Sequence, residues 1–170
     1  MADCKVSGLK STYTYTGKYL KPSMTVKLGG VTLKRNTDYK ITYKNNKNVG
    51  TATVTIAGIG KYKSCGSRQV TFRIIPQKTS VASLSGGKQA VTVKWGRKTV
   101  QTSGYQLQYS TSSGMKSAKL ITVSGSKNTG RTIKNLQPGK KYYVRVRTYK
   151  AVGGRKYYSG WSKIKSVKTK

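Results

Sequence analysis

Leu136-Gln137-Pro138-Gly139-Lys140-Lys141-Tyr142-Tyr143-Val144-Arg145-Val146-Arg147 is the stretch that decides the fold of this chain. Pro138-Gly139 is turn chemistry, because proline presets φ and glycine accepts the positive φ that tight turns require. The residues that follow alternate. Tyr142, Val144, Val146 and Thr148 fall on one side of an extended strand, and Tyr143, Arg145, Arg147 and Tyr149 on the other. A helix would scatter the valines over opposite faces, so the period of two specifies a half-buried strand.

Working outward, the same alternation recurs at 80–84, 90–95, 104–110, 119–123, 130–133 and 162–168, with Trp95 ending the run Val91-Thr92-Val93-Lys94-Trp95. Upstream it recurs at 12–16, 23–28, 39–43, 51–57 and 69–75, separated by Gly29-Gly30, Asn45-Asn46-Lys47-Asn48 and Gly58-Ile59-Gly60. Val54, Ile56 and Phe72 are expected in the upstream core, and Trp95 and Tyr142 in the downstream one. The pattern predicts an all-β chain. Its strands divide at Ile74-Ile75-Pro76-Gln77, where alternation stops at a proline, giving domains 1–76 and 77–170.

Composition narrows the function. The 170 residues include 35 Lys+Arg, 2 Asp+Glu and no His, for a formal charge of +33. The first domain holds 14 basic residues with Asp3 and Asp38, and the second holds 21 basic residues and no acid. A Ser-His-Asp triad, a Cys-His pair, a carboxylate dyad and a His-rich metal site are all excluded. We therefore expect a non-enzymatic protein with no cofactor and no metal. No stretch approaches the roughly 20 apolar residues of a membrane span, so no membrane insertion is expected.

Two resemblances add to this reading. Tyr13-Thr14-Tyr15-Thr16-Gly17-Lys18, Asp38-Tyr39, Tyr43-Lys44-Asn45-Asn46-Lys47-Asn48-Val49-Gly50-Thr51 and Gly58-Ile59-Gly60-Lys61-Tyr62, in that order, resemble the Ig-like repeats of large surface and secreted proteins of Gram-positive gut bacteria. From residue 78 onward, Trp95, the run 104–110 and the 136–147 stretch resemble a fibronectin type III domain. That resemblance implies two tandem β-sandwiches, with Leu136, Pro138, Gly139 and Tyr142 at the family's tyrosine corner. The chain contains no Arg-Gly-Asp, so the integrin-binding loop of some family members is not carried over. The chain reads as a mature segment of a longer secreted or cell-surface protein, expected to be a monomer.

Two constellations remain. Cys4 and Cys65 are the only cysteines, and in an exported protein an even pair points to a disulfide, the alternative being two independent thiols. Closing that loop would stabilise the fold by roughly 4 kcal/mol in a chain-entropy treatment. Tyr143, Arg145, Arg147 and Tyr149, with Trp161 before the last strand, form a candidate binding face. Trp161-Ser162 is similar to half of the Trp-Ser repeat of cytokine-receptor fibronectin domains, in which Trp and Arg interleave. Such a face serves either as a ladder that rigidifies the sheet or as a platform for a ligand.

The charge carries two readings as well: tolerance of an anionic envelope, or binding of an anionic polysaccharide. The leading expectation is adhesion or surface display by attachment to anionic glycans or envelope polymers. The alternatives are an irisin-like, hormone-like ligand of a host surface receptor and a structural spacer. Nonspecific nucleic-acid binding in vitro follows from the charge alone.

Overall fold

The computed structural model describes Met1–Lys170 and divides into two compact units, Met1–Ile75 and Pro76–Lys170. In both, nearly all of the regular structure is strand. In the first unit, β1 (Lys5–Ser7), β3 (Thr25–Leu28) and β4 (Val31–Thr32) make a three-stranded sheet in the order β1-β3-β4. The second sheet runs β2-β7-β6-β5, from β2 (Thr12–Thr14), β5 (Tyr39–Lys44), β6 (Gly50–Gly58) and β7 (Ser67–Ile75), with β2 parallel to β7. Val54, Ile56, Phe72 and Ile74 alternate inward and are buried, and Tyr13 meets Phe72 edge-on at 5.1 Å. The short β1 and β4, and a 3-10 turn at Gly60–Cys65, had no legible counterpart in the sequence. Runs of two or three residues are too short to display a period.

The expected disulfide is corrected here: Cys4 and Cys65 are both free thiols. Cys4 is buried, whereas Cys65 closes the 3-10 turn and is half-exposed. The two stretches of chain are joined without a bridge. The Met1 ammonium donates to the Cys65 carbonyl, and the Arg68 guanidinium donates to the Ala2 carbonyl at 2.7 Å.

The second unit is a two-sheet sandwich. One sheet is β12-β9-β8, from β8 (Val81–Gly87), β9 (Ala90–Trp95) and β12 (Gly130–Ile133). The other runs β11-β10-β13-β14, from β10 (Gly104–Ser110), β11 (Lys119–Ser124), β13 (Lys141–Val152) and β14 (Arg155–Tyr158), with β15 (Lys165–Lys168) also pairing β13. Between the sheets lie Val91, Val93, Trp95, Tyr105, Leu107, Ile133, Leu136, Tyr142, Val144 and Val146. The alternating side chains of 142–148 face inward as their spacing requires, and Thr148 joins the valines, donating to the Gln77 carbonyl at 2.7 Å. The Tyr142 hydroxyl accepts the Gln137 N–H at 3.1 Å beside buried Leu136, with Pro138 exposed on the turn.

The last expected strand, 162–168, is corrected. Its first half is not a strand, and β14 stands in front of it. Gly153 and Gly154 both have positive φ, 54° and 75°, the geometry of a two-residue hairpin turn that carries β13 directly into β14. The final strand of the sheet is thus split into β14 and β15, and 159–164 arches between them.

Candidate functional site

The arch is where the candidate face is assembled. Its sequence, with the last residue of β14, is Tyr158-Ser159-Gly160-Trp161-Ser162. The two serines replace strand pairing along β13. Ser159 accepts the Thr148 N–H through its hydroxyl at 3.1 Å and donates its own N–H to the Thr148 carbonyl, while Ser162 does the same with Val146 at 3.1 and 2.8 Å. The Val146 and Thr148 amides of β13 thereby keep partners although the neighbouring chain is not extended.

Fixed in this way, Trp161 lies over β13. The Arg145 guanidinium carbon is 4.8 Å and that of Arg147 4.2 Å from its ring centroid, and Arg147 also lies 4.0 Å from the Tyr158 ring. Tyr158 in turn meets Tyr149 at 6.1 Å. Each cation–aromatic contact contributes about 0.5–2 kcal/mol. Across the sheet, the register sets Arg145 opposite Gln108 and Arg147 opposite Gln106. Arg145 Nε donates to Gln108 Oε1 at 2.6 Å, and Arg147 Nε to Gln106 Oε1 at 2.9 Å. Both anchors are neutral, so neither guanidinium charge is cancelled. Burial holds the Arg147 guanidinium below its ordinary pKa and Arg145 adds to that effect, with Tyr158 opposing it.

The candidate residues separate on inspection. Arg145, Arg147 and Trp161 come together. Tyr143 is half-buried and sits apart, with the Lys141 ammonium 5.6 Å from its ring. Tyr149 is corrected as a contact residue. It points outward from β13 but is buried, because it lies over Gly104, where a Cβ would come within 2.9 Å of its ring. Tyr158, Gln106, Gln108 and Ser159 had not been singled out, and Ser162 had been read only as part of the Trp-Ser pair. The signals were present as Gln106 and Gln108 two apart on one strand and as aromatic-Ser-Gly-Trp-Ser after a Gly-Gly turn.

A three-stranded and a five-stranded antiparallel sheet packed around one Trp, with a tyrosine corner, define an all-β sandwich module. Residues 75–164, just over half of the chain, match the fibronectin type III domain family, and the chain belongs to that family. Domains of this family are typically extracellular adhesion or spacer modules, and the family is generally non-enzymatic. No helix is long and apolar enough to cross a membrane. A Kelch domain-containing protein of Sulfurisphaera tokodaii is 26% identical over 113 residues, covering 65% of this chain. The chain spans about 15% of the length of that relative. Among solved structures, the fn3 domain of human contactin 1 is similar at a TM-score of 0.48 and 18% identity, covering 55% of this chain and 77% of that one. The FN1-FN3 domains of chicken CNTN1 reach 0.44 at 18% identity, covering 72% and 42%. A structure described as a myokine reaches 0.43 at 12% identity, covering 55% and 98%.

Proposed function

We propose that this chain is a non-enzymatic binding segment of a secreted or cell-surface protein that attaches by charge to anionic glycans or envelope polymers. The observation that supports it most is the outward face of the five-stranded sheet. There Arg145 and Arg147 are held by rings and by the neutral amides of Gln108 and Gln106, in a unit with 21 basic residues and no acid. Guanidiniums positioned without a carboxylate partner keep their full charge for an oxyanion. The carboxylates of the chain, Asp3 and Asp38, both belong to the first unit, and Asp38 already accepts the Lys34 N–H at 2.8 Å. On this reading the first unit is an Ig-like repeat of a Gram-positive gut bacterium's surface protein, acting as spacer or co-adhesin, and the chain works as a monomer. Nucleic acid binds nonspecifically in vitro by the same charge.

The test is the affinity of the full chain for immobilised heparin and for neutral dextran across a salt series. Counterion release predicts a steep linear fall of log affinity with log salt on heparin and no binding to dextran. Equal retention on both matrices overturns the proposal. The hormone-like alternative rests on Trp161 and Tyr158, half-exposed rings of the kind that anchor receptor interfaces. It predicts a salt-resistant partner that is lost on Trp161→Ala.

A further inference from the structure

The two flanks of the second sandwich differ. On one, backbone bonds tie the sheets together: Lys170 donates its N–H to the Gly87 carbonyl at 2.9 Å and accepts the Gln89 N–H at 3.1 Å. On the other, β11 ends one sheet and β12 ends the other, and a hollow of about 560 Å³ is lined by both, including Ile121 of β11 and Arg131 and Ile133 of β12. Tyr109 lines it too, and also lines a second hollow of about 290 Å³ beside Lys116, Lys119 and Tyr142. A third, of about 320 Å³, shares Lys134 with the first and Asn135 with the second. Through these shared residues the three hollows adjoin along one flank, taken together as a groove, and each is near the size range of small-ligand clefts, about 300–1,000 Å³.

We propose that this groove binds an acidic, pyranose-containing oligosaccharide, with Tyr109 as the platform for a sugar ring and Arg131, Lys134, Lys116 and Lys119 as the partners of its sulfate or carboxylate groups. Tyr109 continues the inward row of Tyr105 and Leu107 but is only half-buried, and it lines two of the hollows. Its ring is steadied by Tyr142 at 6.5 Å, itself fixed through the Gln137 N–H. A steadied ring with an open face packs against the C–H face of a pyranose, which a bare polyanion does not offer. All four cations are exposed, and the unit supplies no carboxylate to neutralise them. The ladder differs in this respect, since its guanidinium faces are already covered by Trp161 and Tyr158.

This inference rests on the anionic-glycan reading and adds a site to it. The experiment is titration of the isotope-labelled full chain, at physiological salt, with a heparin-derived hexasaccharide, a hyaluronan hexasaccharide, inorganic polyphosphate and neutral maltohexaose. Tyr109 and Ile121 resonances are expected to move with the two acidic sugars and not with maltohexaose. Paired Arg131→Gln and Lys134→Gln substitutions are expected to weaken the acidic sugars about tenfold, as for a localised site. The charge-matched pair Arg155→Gln and Lys156→Gln, on β14 at the opposite edge of the sheet, changes them less than about threefold. Tyr109→Leu keeps the apolar wall and weakens the sugars while leaving polyphosphate binding unchanged. Equal losses for the two charge pairs, or loss confined to Arg145→Ala with Arg147→Ala, overturn the groove while the anionic-glycan reading stands. Absence of binding to every acidic ligand overturns both.

Discussion

Arg147 and Trp161, fourteen residues apart in sequence, are stacked in space with the guanidinium carbon 4.2 Å from the indole centroid. The relationship is made by neither side chain alone. Ser159 and Ser162 hold the arch against β13, Gln106 sets the guanidinium from the neighbouring strand, and Tyr158 covers the guanidinium at 4.0 Å.

Removing the ring should therefore loosen the sheet. Trp161→Ala loses two guanidinium contacts and is expected to lower the stability of the second unit by about 1–3 kcal/mol, read by chemical denaturation. Trp161→Phe should recover part of the loss. An unchanged denaturation midpoint in the alanine variant would show that the ladder contributes nothing to stability.

Trp95 tests the core. It is 3% exposed and meets Tyr105 at 5.4 Å, so Trp95→Ala is expected to cost about 3–5 kcal/mol. Its indole N–H is buried with no hydrogen-bond partner. Trp95→Phe removes that unsatisfied donor, which offsets part of the lost volume, and should be distinctly milder than alanine in the same thermal unfolding assay.

The thiols should separate by accessibility. Cys65 is half-exposed and is expected to react with a soluble alkylating reagent in the native protein, whereas buried Cys4 reacts only as the first unit opens. Mass spectrometry of timed, quenched samples follows both sites. A linked Cys4–Cys65 peptide in untreated protein would contradict the free-thiol geometry.

Stability and polyanion binding should be nearly flat from about pH 5 to 8, because the chain has no histidine, the side chain whose ordinary change of charge falls inside that window. The burial that lowers the Arg147 pKa does not bring it into this range, since arginine stays protonated in proteins. Unfolding free energies measured at several pH values check this, and a step near pH 6 would require a titrating partner.

Self-repulsion predicts the response to ions. Raising salt from low to physiological should stabilise both units, and heparin should do so at far lower concentration by binding the folded form. The gain should be larger in the second unit, whose 21 cations face no acid. Calorimetry of the two transitions provides the measurement.

Strand positions and faces were legible because both are local: alternation along 142–148 and the turn residues around it depend only on near neighbours in the chain. Trp95, Tyr142, Val54, Ile56 and Phe72 were readable as core for the same reason, and their low exposure follows from period and size. The exclusion of histidine-dependent catalysis was likewise a matter of composition. Tertiary structure alone decided what the outward residues do. Arg147 and Tyr149 occupy equivalent places in the alternation, yet one keeps a half-exposed guanidinium and the other is buried over Gly104. The difference comes from what lies across the sheet, and cross-strand register is non-local. The arch was hidden because serine hydroxyls stand in for ladder hydrogen bonds there, so Trp161 could be placed only once Ser159 and Ser162 had been paired with Thr148 and Val146. The hollow at Tyr109 is lined from β11 and β12, which end different sheets, and which strands become neighbouring edges has no signature in a one-dimensional pattern of apolar and polar residues.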